Sequence, residues 1–318
     1  MELTNRLKNK IKHTFHILNA NEIDICGAMP EDKSKKFWGD WHYANAMKRE
    51  LSALGYKVNI LTREHWYDDS LAKYVIVLRG KNRYEVPNNP KRRKYIMWGI
   101  SHPADITVDE CNSYDFVFFA SKRMQEHFKT GLTVPSDIMM QCADAQRMTA
   151  VDGNPKEYEL LFVGNSRHVY RQILKDLLPT PYQLSVYGRH WEKFPVQDYV
   201  VAKYFPNSKV GQAYHDAKIL LNDHWDDMRE YGIISNRIFD ALHAGAFIVS
   251  DHLPEIDSVF DGSVITYTDR EDLAKKIDYY MQHDKERDTL AKKGQQIVVQ
   301  QHTFKQRMQV MSDCIRSL

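Results

Sequence analysis

The sequence has few of the features that mark secreted, membrane-spanning and metal-binding proteins. Its 318 residues include four cysteines, which lie far apart and form no CxxC pair: Cys26, Cys111, Cys142 and Cys314. This spacing argues against a disulfide framework and a cysteine metal site, and it favours a reducing cytoplasm. No apolar run approaches the roughly 18 residues of a transmembrane helix. The basic N-terminal segment lacks the apolar core of a secretory signal, so we predict a cytoplasmic protein, soluble or peripheral to the membrane.

An excess of charge of one sign is also lacking. The 44 lysines and arginines almost balance 42 aspartates and glutamates, so the formal net charge is only +2 and no nucleic-acid partner is expected. Two basic clusters could contact anionic lipid at the inner face of the membrane, although an ordinary solvated surface is the favoured interpretation. They comprise Lys8, Lys10, Lys12 and His13, and Lys91, Arg92, Arg93 and Lys94.

Predicted strands alternate with predicted helices along the whole chain. In the first half, strands are expected at 23–26, 57–61, 74–78, 95–98, 116–119 and 138–141, with a helix at 41–54. After a Gly, Asn and Pro-containing loop at 148–158, the pattern starts again, with strands at 160–163, 184–187, 219–221, 247–250 and 263–267. Helices are expected there at 169–178, 209–217, 269–282 and 285–300. This alternation predicts two doubly wound α/β domains with parallel sheets, at 1–153 and 154–300.

Segment 229–251 is the most informative part of the chain. Apolar residues at helical spacing end at Gly245, and a buried strand follows, so a helix feeds a parallel strand. The residues before this helix would present unpaired N–H groups and the positive end of its dipole to a phosphate. Arg237 and Asp240 are three positions apart, one suited to a phosphate and the other to sugar hydroxyls. A solvated ion pair is the alternative interpretation.

The run N-R-I-F-D-A-L-H-A-G-A, followed by a strand and Leu-Pro-Glu-Ile, resembles the donor-binding motif of GT-B glycosyltransferases. The similarity is greatest to the bacterial branch related to the spore-maturation glycosyltransferases, whose order of motifs is followed over 158–311. The resemblance implies an α/β, GT-B fold, in which two Rossmann-like doubly wound domains face each other across a cleft. It also implies that the final helix, 301–318, packs back on the N-terminal domain.

The resemblance extends to further donor-site residues, which include Asn236 beside Arg237. The run F-V-G-N followed by an arginine implies roles for Gly164, Asn165 and Arg171, although a simple helix cap is the alternative. Four further residues at or after the ends of later strands could bind the base, phosphates or sugar of the donor: Tyr187, Gly188, Asn222 and Arg229. Tyr187 could equally be a core residue. Asp240 replaces the second acid of the family's paired-glutamate motif, and eight positions earlier the chain has Gly232.

Candidate catalytic residues lie in the first half. Asp40 and His42 follow the first strand, where inverting enzymes of this fold often hold the base that deprotonates the acceptor hydroxyl. Capping of the helix that starts at Trp41 is the favoured alternative for Asp40. His102 resembles the histidine that touches the donor sugar in related enzymes, and a structural histidine is the alternative.

These patterns predict a hexosyltransferase-like enzyme that moves a sugar from a nucleotide-diphosphate donor to a glycan, lipid-linked or protein acceptor. A role in bacterial surface-polysaccharide synthesis follows from the resemblance. No DxD motif or histidine cluster indicates an essential metal, and no cofactor is expected. Two alternatives remain open: a sugar-nucleotide 2-epimerase of the same fold, and a non-catalytic subunit that binds a nucleotide sugar or a glycan.

Overall fold

The computed structural model describes residues 18–88, 92–153 and 155–318. The basic residues named above that lie outside the described residues are Lys8, Lys10, Lys12, His13 and Lys91. The chain divides into two compact units. The first comprises the residues up to Met140 together with Phe304–Leu318, and the second comprises Gln141–Thr303.

These boundaries differ from those predicted at 153 and 300. Segment 141–153 joins the second unit because the Ala143 N–H donates to the carbonyl of His302 at 2.9 Å. The Asp144 N–H likewise donates to Asp240 Oδ1 at 3.2 Å. The loop composition at 148–158 therefore marks a turn inside the second unit and not its start.

The first unit is built on a sheet of six parallel strands, in the order β2-β1-β3-β4-β5-β6. The strands are β1 (Asn19–Cys26), β2 (Lys57–Leu61), β3 (Ala72–Arg79), β4 (Lys94–Gly99), β5 (Phe116–Phe119) and β6 (Ser136–Ile138). The helices of this unit are α1 (Gly39–Ala53), α2 (Val108–Asn112), α3 (Lys122–Phe128) and the C-terminal helix Phe304–Ser317.

Apolar patterning explains these elements. β3, with the sequence AKYVIVLR, is buried at every position except Lys73, as expected for a parallel strand that is covered on both faces. α1 buries Tyr43, Met47 and Leu51, which recur every four residues and so share one face. This face meets the C-terminal helix, where the rings of Tyr43 and Phe304 lie 4.5 Å apart between centroids.

The second unit also contains a sheet of six parallel strands, in the order β12-β11-β10-β7-β8-β9. The strands are β7 (Tyr158–Val163), β8 (Leu184–Tyr187), β9 (Val200–Ala202), β10 (Ala217–Asn222), β11 (Ile248–Asp251) and β12 (Ile265–Tyr267). The helices are α4 (Gln172–Leu177), α5 (Val210–His215), α6 (Asp226–Glu230), α7 (Asn236–His243), α8 (Pro254–Phe260), α9 (Arg270–Gln282) and α10 (Asp284–Gln301).

Both faces of the second sheet are buried. On one face Leu160, Phe162, Ile219 and Leu221 form a core with residues of α4 and α9. Their neighbours in sequence, such as Leu161 and Leu220, are also fully buried on the other face. Because successive strand residues point to opposite faces, helices cover the sheet on both sides.

The predicted α/β fold class with two Rossmann-like units is therefore confirmed. Helix 169–178 was predicted too long: Arg171 has an extended backbone, with φ of −60° and ψ of 130°, so the helix begins only at Gln172. The last strand of the first half was also misplaced, since it covers Ser136–Ile138 and not 138–141. In the parts of the chain that the structure describes, no helix has the length and hydropathy needed to cross a bilayer.

Candidate functional site

The strand order creates a topological switch point in the second sheet. The chain passes from β7 to β8 on one side, and it later adds β10 on the other side of β7. The connections after β7 and β10 therefore leave in opposite directions and open a crevice at the carboxyl ends of these strands, where ligands of such sheets bind. Gly164 follows β7 directly, and Asn222 ends β10.

Arg237, in the first turn of α7, lies at this crevice. Its Nε donates to the carbonyl of Val163 at 3.0 Å, and its Nη1 donates to Asn222 Oδ1 at 2.6 Å. These acceptors are neutral, and within the described residues no carboxylate forms an ion pair with Arg237. Burial lowers the pKa of Arg237 because desolvation disfavours its charged form. The crevice thus holds a cation that makes no close ion pair among the described residues, although Asp223 attracts it at longer range.

Two glycines near this arginine expose the backbone, because they have no side chain. A Cβ at Gly164 would lie 2.7 Å from Arg237 Nη2, and a Cβ at Gly188 would lie 2.1 Å from the Gly164 carbonyl oxygen. Gly188 also has φ of +145°, which other residues rarely adopt. The ends of β7 and β8 can therefore approach each other and a ligand more closely than side chains would allow.

Asn222 orients the guanidinium of Arg237. Its side chain is fully buried, and its Nδ2 donates to Ser250 Oγ at 2.9 Å. This bond directs the other amide atom, Oδ1, towards Arg237 Nη1. Asn222 therefore acts on the site by positioning Arg237.

Arg171 and Arg229, both predicted to bind the donor, have acidic partners. The buried guanidinium of Arg171 makes a two-pronged ion pair with the buried carboxylate of Asp223, and Nη2 also donates to the Asp223 carbonyl at 2.9 Å. Arg229 Nη1 lies 3.3 Å from Asp251 Oδ2, and its Nη2 pairs with Asp226. Sequence spacing could not reveal Asp223 and Asp251 as partners, and these acids pair with the arginines that were predicted to meet phosphate.

Asp240 and Arg237 have different hydrogen-bond partners. It is 6% exposed, and it accepts hydrogen bonds from the Asp144 N–H at 3.2 Å and from Arg147 Nη2 at 3.3 Å. Burial raises its pKa to about 6, although Arg147 and the Asp144 N–H oppose this effect. Three helical positions place Arg237 and Asp240 on the same side of α7. Asp240 is hydrogen-bonded to Asp144, Arg147 and Asn236, and its role towards sugar hydroxyls stays a prediction.

The remaining donor-side candidates differ in accessibility. Asn236 Nδ2 donates to Asp240 Oδ2 at 2.9 Å, and its buried Oδ1 has no hydrogen-bond partner among the described residues. Tyr187 is half-buried, and its ring meets Phe205 edge-on at 4.7 Å between centroids. Asn165 is exposed, and its Oδ1 accepts from the Arg189 N–H at 2.8 Å, which joins the loops after β7 and β8.

In the first unit, Asp40 lies over the carboxyl end of the sheet. Its Oδ2 is 3.6 Å from the Cβ position of Gly80, which follows β3, and Ser101 Oγ is 3.4 Å from the same point. The prediction that Asp40 caps α1 is wrong: the helix begins at Gly39 with Trp38 as its N-cap, so Asp40 is the second helical residue. Its carboxylate therefore borders the strand ends from within the first turn.

The two candidate histidines of this unit lie in different surroundings. His42 Nε2 is 2.9 Å from the carbonyl of Lys36, in the segment before α1. The ring of His102 lies beside Ser101, with Nδ1 3.1 Å from Ser101 Oγ, and its φ of 53° is left-handed. His102 therefore lies next to Ser101, which borders the same space as Asp40. His42 instead contacts the backbone of Lys36.

Sequence reasoning missed several polar residues at the strand ends. Asp223, His224 and Asp251 are each at most 5% exposed and hold the loops around β10 in place. The run Asn222-Asp223-His224 at the end of a strand was the available signal. Among the described residues, no three His, Cys, Asp or Glu side chains are grouped to hold a metal ion, and metal independence stays a prediction.

Comparison with known proteins agrees with this geometry. A family model described as "Glycosyl transferase-like" matches residues 167–313. Spore protein CgeB of Bacillus subtilis (strain 168) is 27% identical over 162 residues, or 46% of this chain and 50% of that protein. The chain thus spans about half the length of the curated relative that it matches.

Solved structures share the fold at low identity. Sucrose-phosphate synthase of Thermosynechococcus elongatus superimposes with a TM-score of 0.69 at 11% identity, over 93% of this chain and 98% of that one. AviGT4, a glycosyltransferase of avilamycin A biosynthesis, gives 0.62 at 13%, over 93% and 97%. T4 phage β-glucosyltransferase gives 0.62 at 10%, over 93% and 98%.

The chain therefore has the two-domain α/β fold of the GT-B glycosyltransferases. Within that class, its sequence resembles spore protein CgeB, and this confirms the resemblance to the bacterial spore-maturation branch.

Proposed function

We propose that the chain is a glycosyltransferase that binds a nucleotide-diphosphate sugar at the carboxyl ends of β7, β8 and β10. The observation that carries this proposal is Arg237, a largely desolvated cation that makes no ion pair among the described residues and lies at the switch point of the second sheet. Burying an uncompensated charge is costly. A diphosphate would supply the missing negative charge and accept a paired set of hydrogen bonds.

Backbone groups support the same ligand. The first N–H groups of α7 have no partner within the helix, and the helix dipole adds positive potential at this end. Gly164 and Gly188 keep side chains away from the adjoining strand ends. An arginine and a helix start together suit a leaving diphosphate, so we expect transfer to need no metal ion.

On the acceptor side, Asp40 is our candidate for the general base. In the transfer step the acceptor hydroxyl oxygen forms a bond with the anomeric carbon, and the bond from that carbon to the diphosphate breaks. Asp40 would take the hydroxyl proton, while Arg237 would stabilise the charge that develops on the departing nucleoside diphosphate. Ser101 and His102 border the same space and could contact the sugars.

The acceptor is proposed to be a glycan, a lipid-linked sugar or a protein, in bacterial surface-polysaccharide synthesis. A similar fold occurs in a DNA-modifying β-glucosyltransferase, so fold alone does not select the acceptor. The formal net charge of +2 gives this chain little electrostatic attraction for DNA. We therefore expect the acceptor not to be a nucleic acid.

The first test is a thermal-shift screen with UDP, GDP, CDP, ADP and dTDP, because a ligand that binds only the folded state stabilises it. Arg237→Ala should abolish the shift seen with the wild type. Arg316→Ala is the matched control, since Arg316 is 62% exposed and lies 3.7 Å from Asp313. No shift with any nucleotide at millimolar concentration would contradict the proposed site.

Turnover assays with sugar donors of the nucleotide that gives a thermal shift distinguish the transferase, the epimerase and the non-catalytic subunit. Asp40→Asn should keep nucleotide binding and lose transfer by about 10²-fold or more, and wild-type transfer should persist in EDTA. Conversion of the donor to its 2-epimer without an acceptor would favour the epimerase. Binding without either reaction, across glycan and lipid-linked acceptors, would favour a non-catalytic subunit.

A further inference from the structure

His224 links the carboxyl end of β10 to the start of α7. Its side chain is fully buried. One ring nitrogen, Nδ1, lies 2.7 Å from Asp251 Oδ1 at the end of β11. The other, Nε2, lies 3.0 Å from the backbone nitrogen of Ser235, the residue immediately before α7.

These contacts determine the hydrogen positions on the imidazole. A backbone N–H can only donate, so Nε2 must carry a lone pair to accept from Ser235. An ionised carboxylate such as that of Asp251 accepts hydrogen bonds and cannot donate them, so Nδ1 carries the hydrogen. The structure therefore requires neutral His224 in its Nδ1–H tautomer.

The bond to Ser235 bears on the candidate diphosphate site. Ser235 is the N-cap of α7, and Arg237 follows two residues later. We propose that His224 is a positioning residue for the diphosphate site: as a hydrogen-bond acceptor it fixes Ser235 and thereby the helix start and the guanidinium of Arg237. This inference rests on the proposed function of the site.

Two amide variants separate the contacts of His224. In His224→Gln the amide oxygen can reach the Nε2 position and accept from Ser235, whereas His224→Asn can reach only the Nδ1 position and keep the bond to Asp251. The probe is inorganic pyrophosphate, and its binding is measured by calorimetry at pH 7.5. At pH 7.5 we expect His224→Gln to bind within about threefold of the wild type and His224→Asn to bind about tenfold more weakly. Equal affinities of the two amide variants for pyrophosphate would overturn the positioning role.

Two measurements without ligand separate this inference from the proposed function. Amide hydrogen exchange at Ser235 should be slow in the wild type and His224→Gln and faster in His224→Asn. In the wild type, ¹⁵N shifts should show an unprotonated Nε2 at neutral pH. If pyrophosphate fails to bind while these results hold, the proposed ligand is wrong and the link to Ser235 stands. A protonated Nε2 at pH 7.5 overturns the link itself, even if the variants do not fold.

Discussion

Replacement of Arg171 with methionine would test whether this arginine serves the fold or the ligand. The guanidinium is 5% exposed, and it is held by both carboxylate oxygens and the carbonyl of Asp223. Methionine fills a similar volume but leaves the 1% exposed Asp223 side chain as an unpaired buried charge. Breaking a buried ion pair in this way typically costs about 3–5 kcal/mol. We therefore expect Arg171→Met to lower the free energy of unfolding of the second unit by that amount.

The measurement is hydrogen exchange of peptides from β7 and β10 across a urea series, which reads the second unit by itself. Adding Asp223→Asn to Arg171→Met should recover part of the loss, since the unpaired charge is removed. Lys203→Met is the matched control within the second unit: its ion pair with Glu192 is 3.4 Å long and exposed, so its removal should cost less than about 1 kcal/mol.

Two outcomes would refute this reasoning about Arg171. Wild-type stability together with lost nucleotide binding would make Arg171 a phosphate ligand, as the sequence pattern predicted. A double variant as unstable as Arg171→Met would mean that the unpaired carboxylate is not the cause of the loss.

Other substitutions probe single contacts. Gly188→Ala should destabilise the second unit by more than about 2 kcal/mol, because its Cβ would lie 2.1 Å from the Gly164 oxygen, whereas Gly262→Ala, at φ of +71° with nothing within 4 Å, should cost about 1 kcal/mol. If both variants lose the same free energy of unfolding in urea titrations, the φ angle and not the contact with Gly164 determines the cost. Asp240→Asn tests the raised pKa of about 6. Since the folded state binds the proton more tightly, wild-type stability should rise by roughly 2 kcal/mol relative to Asp240→Asn as pH falls from 7 to 4. Calorimetry that shows no pH-dependent difference would contradict this.

Much of the fold could be predicted because parallel sheets have a local signature. β3 and β10 contain the apolar runs YVIVL and ILL, and each predicted strand in the second unit lies within three residues of an observed one. Errors arose where the signal is weak. β9 has only three residues, and it was not predicted. The extended backbone at Arg171 shortened a predicted helix, and side-chain periodicity does not report backbone angles.

The candidate site was only partly predictable. The pattern of the motif selected Gly164, Gly188, Asn222 and Arg237, and the structure brings these residues together at the ends of β7, β8 and β10. Position after a strand is enough for this, because the carboxyl ends of parallel strands share one edge of the sheet.

The sequence by itself thus determined which elements form and which residues reach the strand ends. Only the tertiary structure decided the partner of each charged side chain. Arg171 pairs with Asp223, 52 positions away, and Asp240 bonds Arg147, 93 positions away. Local spacing sets the direction in which a side chain leaves its helix, but the groups it meets come from distant segments. The lack of a close ion pair at Arg237 among the described residues is therefore visible only in the folded chain.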